Sequence, residues 1–162
     1  MTNRQELIDS LLNIPWFLDL SPAQVEKLAE ISAMKSLSAG ETLFCEGDRT
    51  DNLYIVLSGE IDLEMSVPSH GRLKVFSAEA LDIIGWSTMT PIIRQRTASA
   101  HACRDTSLLL FPGEALEELC EQDHAMGYII MKRIANVTAS YMLMVKLHLL
   151  EQLLAMTDSI IN

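Results

Sequence analysis

Glycine and proline are scarce, seven and five among 162 residues, which excludes a collagen-like or low-complexity polymer. Basic residues are scarce too. Twelve Lys and Arg stand against twenty-two Asp and Glu, a net charge of −10. That balance repels polyphosphate, so no direct DNA-binding face is expected. Cysteine is limited to Cys45, Cys103 and Cys120, an odd number with no CxxC pair, so a reduced, cytoplasmic setting is the expectation. The longest uncharged stretches, Ile83 to Ile93 and Ile134 to Val145, fall short of the ~18 apolar residues of a membrane span. Arg4, Glu6 and Asp9 precede any apolar run, which argues against a signal peptide. No Ser, His and Asp grouping suggests acyl transfer, and His70, His101, His124 and His148 have no paired metal spacing. Neither an enzyme nor a metal site is expected, and the three cysteines are expected to pack as small apolar residues, with Cys103 and Cys120 inside regular elements.

What is present is an ordinary globular composition, 49% hydrophobic and 21% charged, enough for one compact domain spanning 1–162. Its pattern falls into three parts. In 1–32 the spacing is helical: Leu7, Leu11 and Leu12 precede Pro15, and Ser21-Pro22 opens a helix with Val25, Leu28 and Ile31 on one face. In 33–111 the period is two. Leu53 to Leu57 reads as a strand buried on both faces, while Ile61, Leu63 and Met65 alternate with Glu60, Asp62 and Glu64 to give a solvated acidic outer face. Thr97 to Cys103 alternates small and polar residues, and Leu108 to Phe111 closes the series. About eight short strands with frequent turns predict an antiparallel sandwich, barrel or roll.

In 112–162 helices return. Pro112 opens one through Leu116 and Leu119, and a longer one is predicted from Ala125 to Met156. If continuous through Gly127, that helix is ~48 Å long, more than the ~40 Å diameter of a body this size. Its charges are only Lys132, Arg133, Lys146 and Glu151. Leu143, Leu147, Leu150 and Leu154 form one apolar line, and Ile130, Ile134, Val137, Tyr141 and Met144 form another. One line can cover the strands; the other needs a second surface. A homodimer through residues 125–156 is the economical solution, and two shorter helices folded back are the alternative. Met126, Met131, Met142, Met144 and Met156 fit either core or dimer packing or an adaptable partner surface.

The stretches Ile14 to Leu18, Gly40 to Asp48 and Leu53 to Ile61 resemble the cyclic-nucleotide-binding domain family, the sensing module of catabolite-activator-type regulators, kinase regulatory subunits and some channels. The resemblance covers residues 10 to 150 and implies an eight-stranded antiparallel β-roll of the jelly-roll type with flanking helices. It places the family's phosphate-binding cassette on Ile84 to Met89 and Arg96 to Ala100. The chemistry of such a cassette is simple. Gly85 lets backbone approach an anion, the short turn after it presents amides, Arg96 adds a planar cation and Thr97 a hydroxyl. Gly85, Trp86, Ser87, Arg96 and Thr97 are therefore the candidate ligand-binding residues. The bland alternative makes Arg96 a surface residue at a strand start, as Arg94 nearby suggests.

Two departures from the family matter. Its cyclic-nucleotide binders carry a Glu directly after the Gly to accept hydrogen bonds from the ribose hydroxyl; here Trp86 stands in that place, with one N–H donor and no acceptor. The family's transcription factors continue into a helix-turn-helix, whereas only Asp158 to Asn162 follow the long helix here. The expectation is a non-enzymatic, ligand-sensing regulatory domain. It would take an anionic small molecule and no built-in cofactor, and signal to a separate partner protein. Two alternatives stay open: a scaffold whose pocket Trp86 plugs, and a true cyclic AMP receptor using Ser87 or Thr88 as the acceptor. A haem-binding variant of the family would leave no motif.

Overall fold

The computed structural model describes residues 4–49, 51–90, 92–93 and 95–161, with side chains described as far as 155; Arg94 and the side chain of Met156 lie outside the described residues. The chain begins with helix α1 (Arg4–Leu12), a single 3-10 turn at Pro15–Phe17, and helix α2 (Pro22–Ile31). Ser21 caps α2 as its sequence predicts. Its hydroxyl accepts from the Gln24 amide while the Gln24 side chain accepts from the Ser21 amide, so two otherwise unpaired donors are satisfied.

Eight antiparallel strands follow: β1 (Ala33–Leu37), β2 (Thr42–Phe44), β3 (Asn52–Ser58), β4 (Ile61–Val67), β5 (Gly71–Ala78), β6 (Ile83–Ile84), β7 (Ser99–Ala102) and β8 (Thr106–Pro112). They form two four-stranded sheets, ordered β1-β8-β3-β6 and β2-β7-β4-β5. This is the β-roll with flanking helices that the alternation and the family resemblance implied.

The buried strand β3 explains the architecture. Leu53 and Ile55 point to one hydrophobic cluster, shared with α1, α2 and the C-terminal helices. Tyr54 and Val56 point to the other, inside the roll with Ile61, Leu63 and Ala100. A strand between two cores has no polar face to alternate, hence its continuous apolar run.

Helix α3 (Gly113–Gln122) leads into α4 (His124–Ile161), whose 38 residues run unbroken through Gly127 and span ~57 Å. The continuous alternative therefore holds. Gly127 has a packing reason: a Cβ there would lie 2.7 Å from the Cys120 carbonyl oxygen, so only glycine lets α4 fold back this closely on α3. Asp123 caps the junction, accepting from the Met126 amide at 3.0 Å and from the Gln24 side chain at 2.8 Å. No described helix is long and apolar enough to cross a membrane.

Candidate functional site

β6 is followed by Gly85, whose φ of 76° lies in the left-handed region, and the chain turns at once into a 3-10 helix at Trp86–Met89. Glycine is required here twice over. Besides the backbone strain, a Cβ would sit 2.6 Å from Arg96 Nη1 and 2.8 Å from the Asn52 carbonyl oxygen. The sequence therefore gives up a side chain at residue 85 so that a guanidinium can lie against the backbone.

That guanidinium is the unusual feature of the molecule. Arg96 is only 4% exposed. Its Nη1 donates to the Gly85 carbonyl at 3.1 Å and its Nη2 to the Asn52 carbonyl at 2.8 Å. Its central carbon lies 4.3 Å from the centre of the Phe44 ring and 5.8 Å from that of Tyr54. Nε is buried without a hydrogen-bond partner, and Arg96 makes no ion pair among the described residues. Burial lowers its pKa below the ordinary guanidinium value, against the charges of Tyr54, Asp51 and Asp48. An arginine does not lose its proton under such pressure, so the cost appears as an uncompensated buried cation. The reading of Arg96 as a surface residue at a strand start is corrected: β7 starts only at Ser99, and Arg96 turns inward.

Gly85, Trp86, Ser87, Arg96 and Thr97 all line one small hollow, of about 20 Å³. Ser87 is buried and Thr97 exposed, in the turn before β7. What closes the hollow is aromatic. Trp86 meets Tyr141 of α4 edge to face, with centroids 6.3 Å apart at 60°, and Tyr141 meets Phe76 of β5 at 5.9 Å and 76°. Burial pushes the Tyr141 phenol up to about 12. On its other side the guanidinium borders a second, open cavity of about 280 Å³, where Asp48, Arg49 and Asp51 are found.

Sequence reading missed several of these contributors. In the sequence Phe44 stands only within the Gly40 to Asp48 stretch of family resemblance, and Tyr141 only in a helical apolar line. The Asn52 contribution is a backbone carbonyl, which leaves no side-chain signal at all.

Other expectations change in detail. Asp62 and Glu64 are not on a freely solvated face; both are half-buried and partnered. Asp62 accepts from the Ser77 hydroxyl and lies 3.3 Å from Lys74 Nζ, and Glu64 lies 3.8 Å from His101 Nε2. Burial alone would raise the Asp62 pKa, but Ser77, Cys103 and Lys74 together lower it. The cysteines do not all pack as apolar residues. Cys45 and Cys103 are exposed, Cys103 just beyond the end of β7, and only Cys120 is half-buried within a helix. Space also joins what sequence separates: the ligand atoms of Glu60, Asp62 and Cys103 lie within 4.8 Å of one another. Glu60 is already paired with Arg104 at 2.7 Å, and burial and the two carboxylates raise the Cys103 thiol pKa, so this cluster favours the neutral thiol.

Comparison with known proteins gives a consistent result. The family model described as cyclic nucleotide-binding domain matches residues 34–123. A Geobacter metallireducens chain described as a cyclic nucleotide-binding protein superposes with a TM-score of 0.72 at 26% identity, over 88% of this chain and 99% of that one. A cyclic nucleotide-binding domain from Methylobacillus flagellatus superposes with a TM-score of 0.77 at 23% identity, over 92% and 83%. Among curated relatives, the Neosartorya fischeri lysophospholipase is 28% identical over 107 residues, 62% of this chain; the chain matches only 6% of that enzyme's length.

Proposed function

Because this chain belongs to the cyclic nucleotide-binding domain family, whose fold is that of a ligand-sensing regulatory module, we propose that it is a non-enzymatic sensor whose altered cassette takes a small anion. The observation that carries this reading is the buried Arg96 guanidinium. A cation held by two carbonyls and two aromatic rings, with Nε unpaired, lacks the counter-charge that would offset its desolvation. An anion in the hollow supplies it. Trp86 stands where the family's nucleotide binders carry the hydroxyl-accepting Glu, which turns the site away from ordinary cyclic nucleotides.

The signal would travel by a shift of population. The cassette touches both C-terminal helices: Trp86 meets Tyr141 of α4, and the Thr88 hydroxyl oxygen occupies the space that a Cβ on Gly113 of α3 would need. An anion drawing the cassette onto the roll would thus reorient the chain near Pro112 and the helices behind it, for a separate partner protein to read. In this reading α4 also makes the homodimer through residues 125–156. Leu143, Leu147, Leu150 and Leu154 are all exposed in the single chain, which is the apolar stripe a two-fold partner would cover.

The test is thermal stability against inorganic phosphate, acetate and cyclic AMP, in the native chain and in Arg96→Ala. An anion-dependent rise in Tm that Arg96→Ala removes supports the reading; a rise that survives the substitution refutes the clamp. A second reading, a ligand-free scaffold, is favoured by the small size of the hollow and its aromatic closure. It predicts a dimer by native mass spectrometry that none of these anions stabilises.

A further inference from the structure

The lining of the hollow is selective in what it lacks. Among the described residues no carboxylate lines it; its polar side-chain groups are the Arg96 guanidinium, the hydroxyls of Ser87, Tyr141 and the exposed Thr97, and the Trp86 indole N–H. A sugar entering it would bury hydroxyls with no charged acceptor to receive them. Among the described residues the hollow offers a single cation, Arg96, and one negative charge matches it.

Shape narrows the choice further. A guanidinium is a planar fork, and its best partner is a planar, bidentate carboxylate rather than a tetrahedral group. The Nε of Arg96 is the buried donor that still lacks an acceptor. Two aromatic rings, Trp86 and Tyr141, line the same hollow with centroids 6.3 Å apart. A flat ring inserted between parallel partners needs roughly 7 Å between them, twice the ~3.5 Å contact distance of carbon atoms. The two rings thus need to turn from edge-to-face to parallel and part, because the hollow of about 20 Å³ holds no ring as it stands. Trp86 and Tyr141 are both half-buried, and Tyr141 also packs edge to face on Phe76, so admitting a ring requires this aromatic chain to open.

We infer that the guest of this hollow is a planar aromatic monocarboxylate, its carboxylate on Arg96 and its ring between Trp86 and Tyr141. This rests on the reading of the cassette as an anion site. It also gives Trp86 a role as a stacking wall, and makes closure over the guest a direct contact between cassette and α4.

The experiment compares 1-naphthoate, cyclohexanecarboxylate, inorganic phosphate and cyclic AMP by calorimetry and thermal shift on the whole chain. The expected result is that 1-naphthoate binds at least tenfold more tightly than cyclohexanecarboxylate, which has the same charge but no flat ring. At a hundredfold excess over its Kd, 1-naphthoate is expected to raise Tm by about 5 °C or more. Arg96→Gln is expected to abolish this response, and Trp86→Leu to erase the preference for the flat ring. Should Arg96→Gln fail to fold, Tyr141→Leu carries the test, with the same loss of preference expected. Arg96-dependent binding of phosphate or cyclic AMP with no advantage for 1-naphthoate overturns the inference and leaves the anion sensor standing. Failure of all four ligands overturns both. Binding of 1-naphthoate that survives Arg96→Gln, or a flat-ring preference that survives Trp86→Leu or Tyr141→Leu, overturns the inference alone.

Discussion

The two ends of α4 are built from the same kinds of residue and meet opposite fates. Near its start Met126, Ile130 and Ile134 are buried against α1, α2 and the first sheet, at 0%, 4% and 2% exposure. From Met142 onward Leu143, Leu147, Leu150 and Leu154 stand at 46–67% exposure. Composition does not separate them. What differs is what lies opposite: a domain core for one, and for the other a surface this single chain does not supply. Tyr141 sits near the boundary, where the helix touches the roll through Phe76 and Trp86, with Val145 one turn further on still packed against it. The cassette and α4 are thus in direct contact through Trp86 and Tyr141.

The comparison can be broken first at its buried end. Ile134→Ala is expected to cost about 3 kcal/mol, from lost burial and an unfilled cavity, read as a shift of the urea midpoint with unchanged m. A cost below about 1 kcal/mol would mean that this part of α4 is not anchored. Gly127→Ala comes next. Alanine favours a helix interior by about 1 kcal/mol, but its Cβ would press 2.7 Å from a backbone oxygen that cannot rotate away. The clash is expected to win, with net destabilisation of about 1–2 kcal/mol. A stabilised Gly127→Ala protein would show that α3 and α4 are not this close.

At the boundary the test is pH. Tyr141 is held neutral by burial, with its pKa raised from 10 to about 12. Its contribution is complete below pH 10, the unfolded value, and is lost as pH rises toward 12. The loss is roughly 2 kcal/mol across that window. Tyr141→Phe is expected to flatten this alkaline limb of the stability curve while leaving neutral pH little changed. At the exposed end the effect on the isolated chain is smallest. Leu147→Ala is expected to shift monomer stability by no more than about 0.5 kcal/mol, while making Tm fall on dilution if a dimer forms there. A large, concentration-independent loss would place Leu147 in a core instead.

The fold was readable because its signals are local. Ser21-Pro22 announces a capped helix, the alternation from Ile61 to Met65 announces a half-buried strand, and the apolar run from Leu53 to Leu57 announces one with cores on both sides. The candidate site was readable in part. Gly85 and Arg96 could be named from their place in the cassette, but Arg96 could as well have been a surface residue, since arginine is usually exposed. Nothing in sequence could bring Tyr141 to Trp86, fifty-five positions away, or join Cys103 to Glu60 and Asp62 across a sheet.

Periodicity, turn residues and caps are consequences of backbone geometry over a few neighbours, and those the amino-acid order alone determined: eight strands, four helices and a glycine at the cassette. Which cation is buried, which rings touch and which leucines are left in water depend on what the chain brings to the far side of each residue. That is settled by packing between distant segments, so only the tertiary structure could decide that a guanidinium lies buried against two aromatic rings with one donor still unpaired.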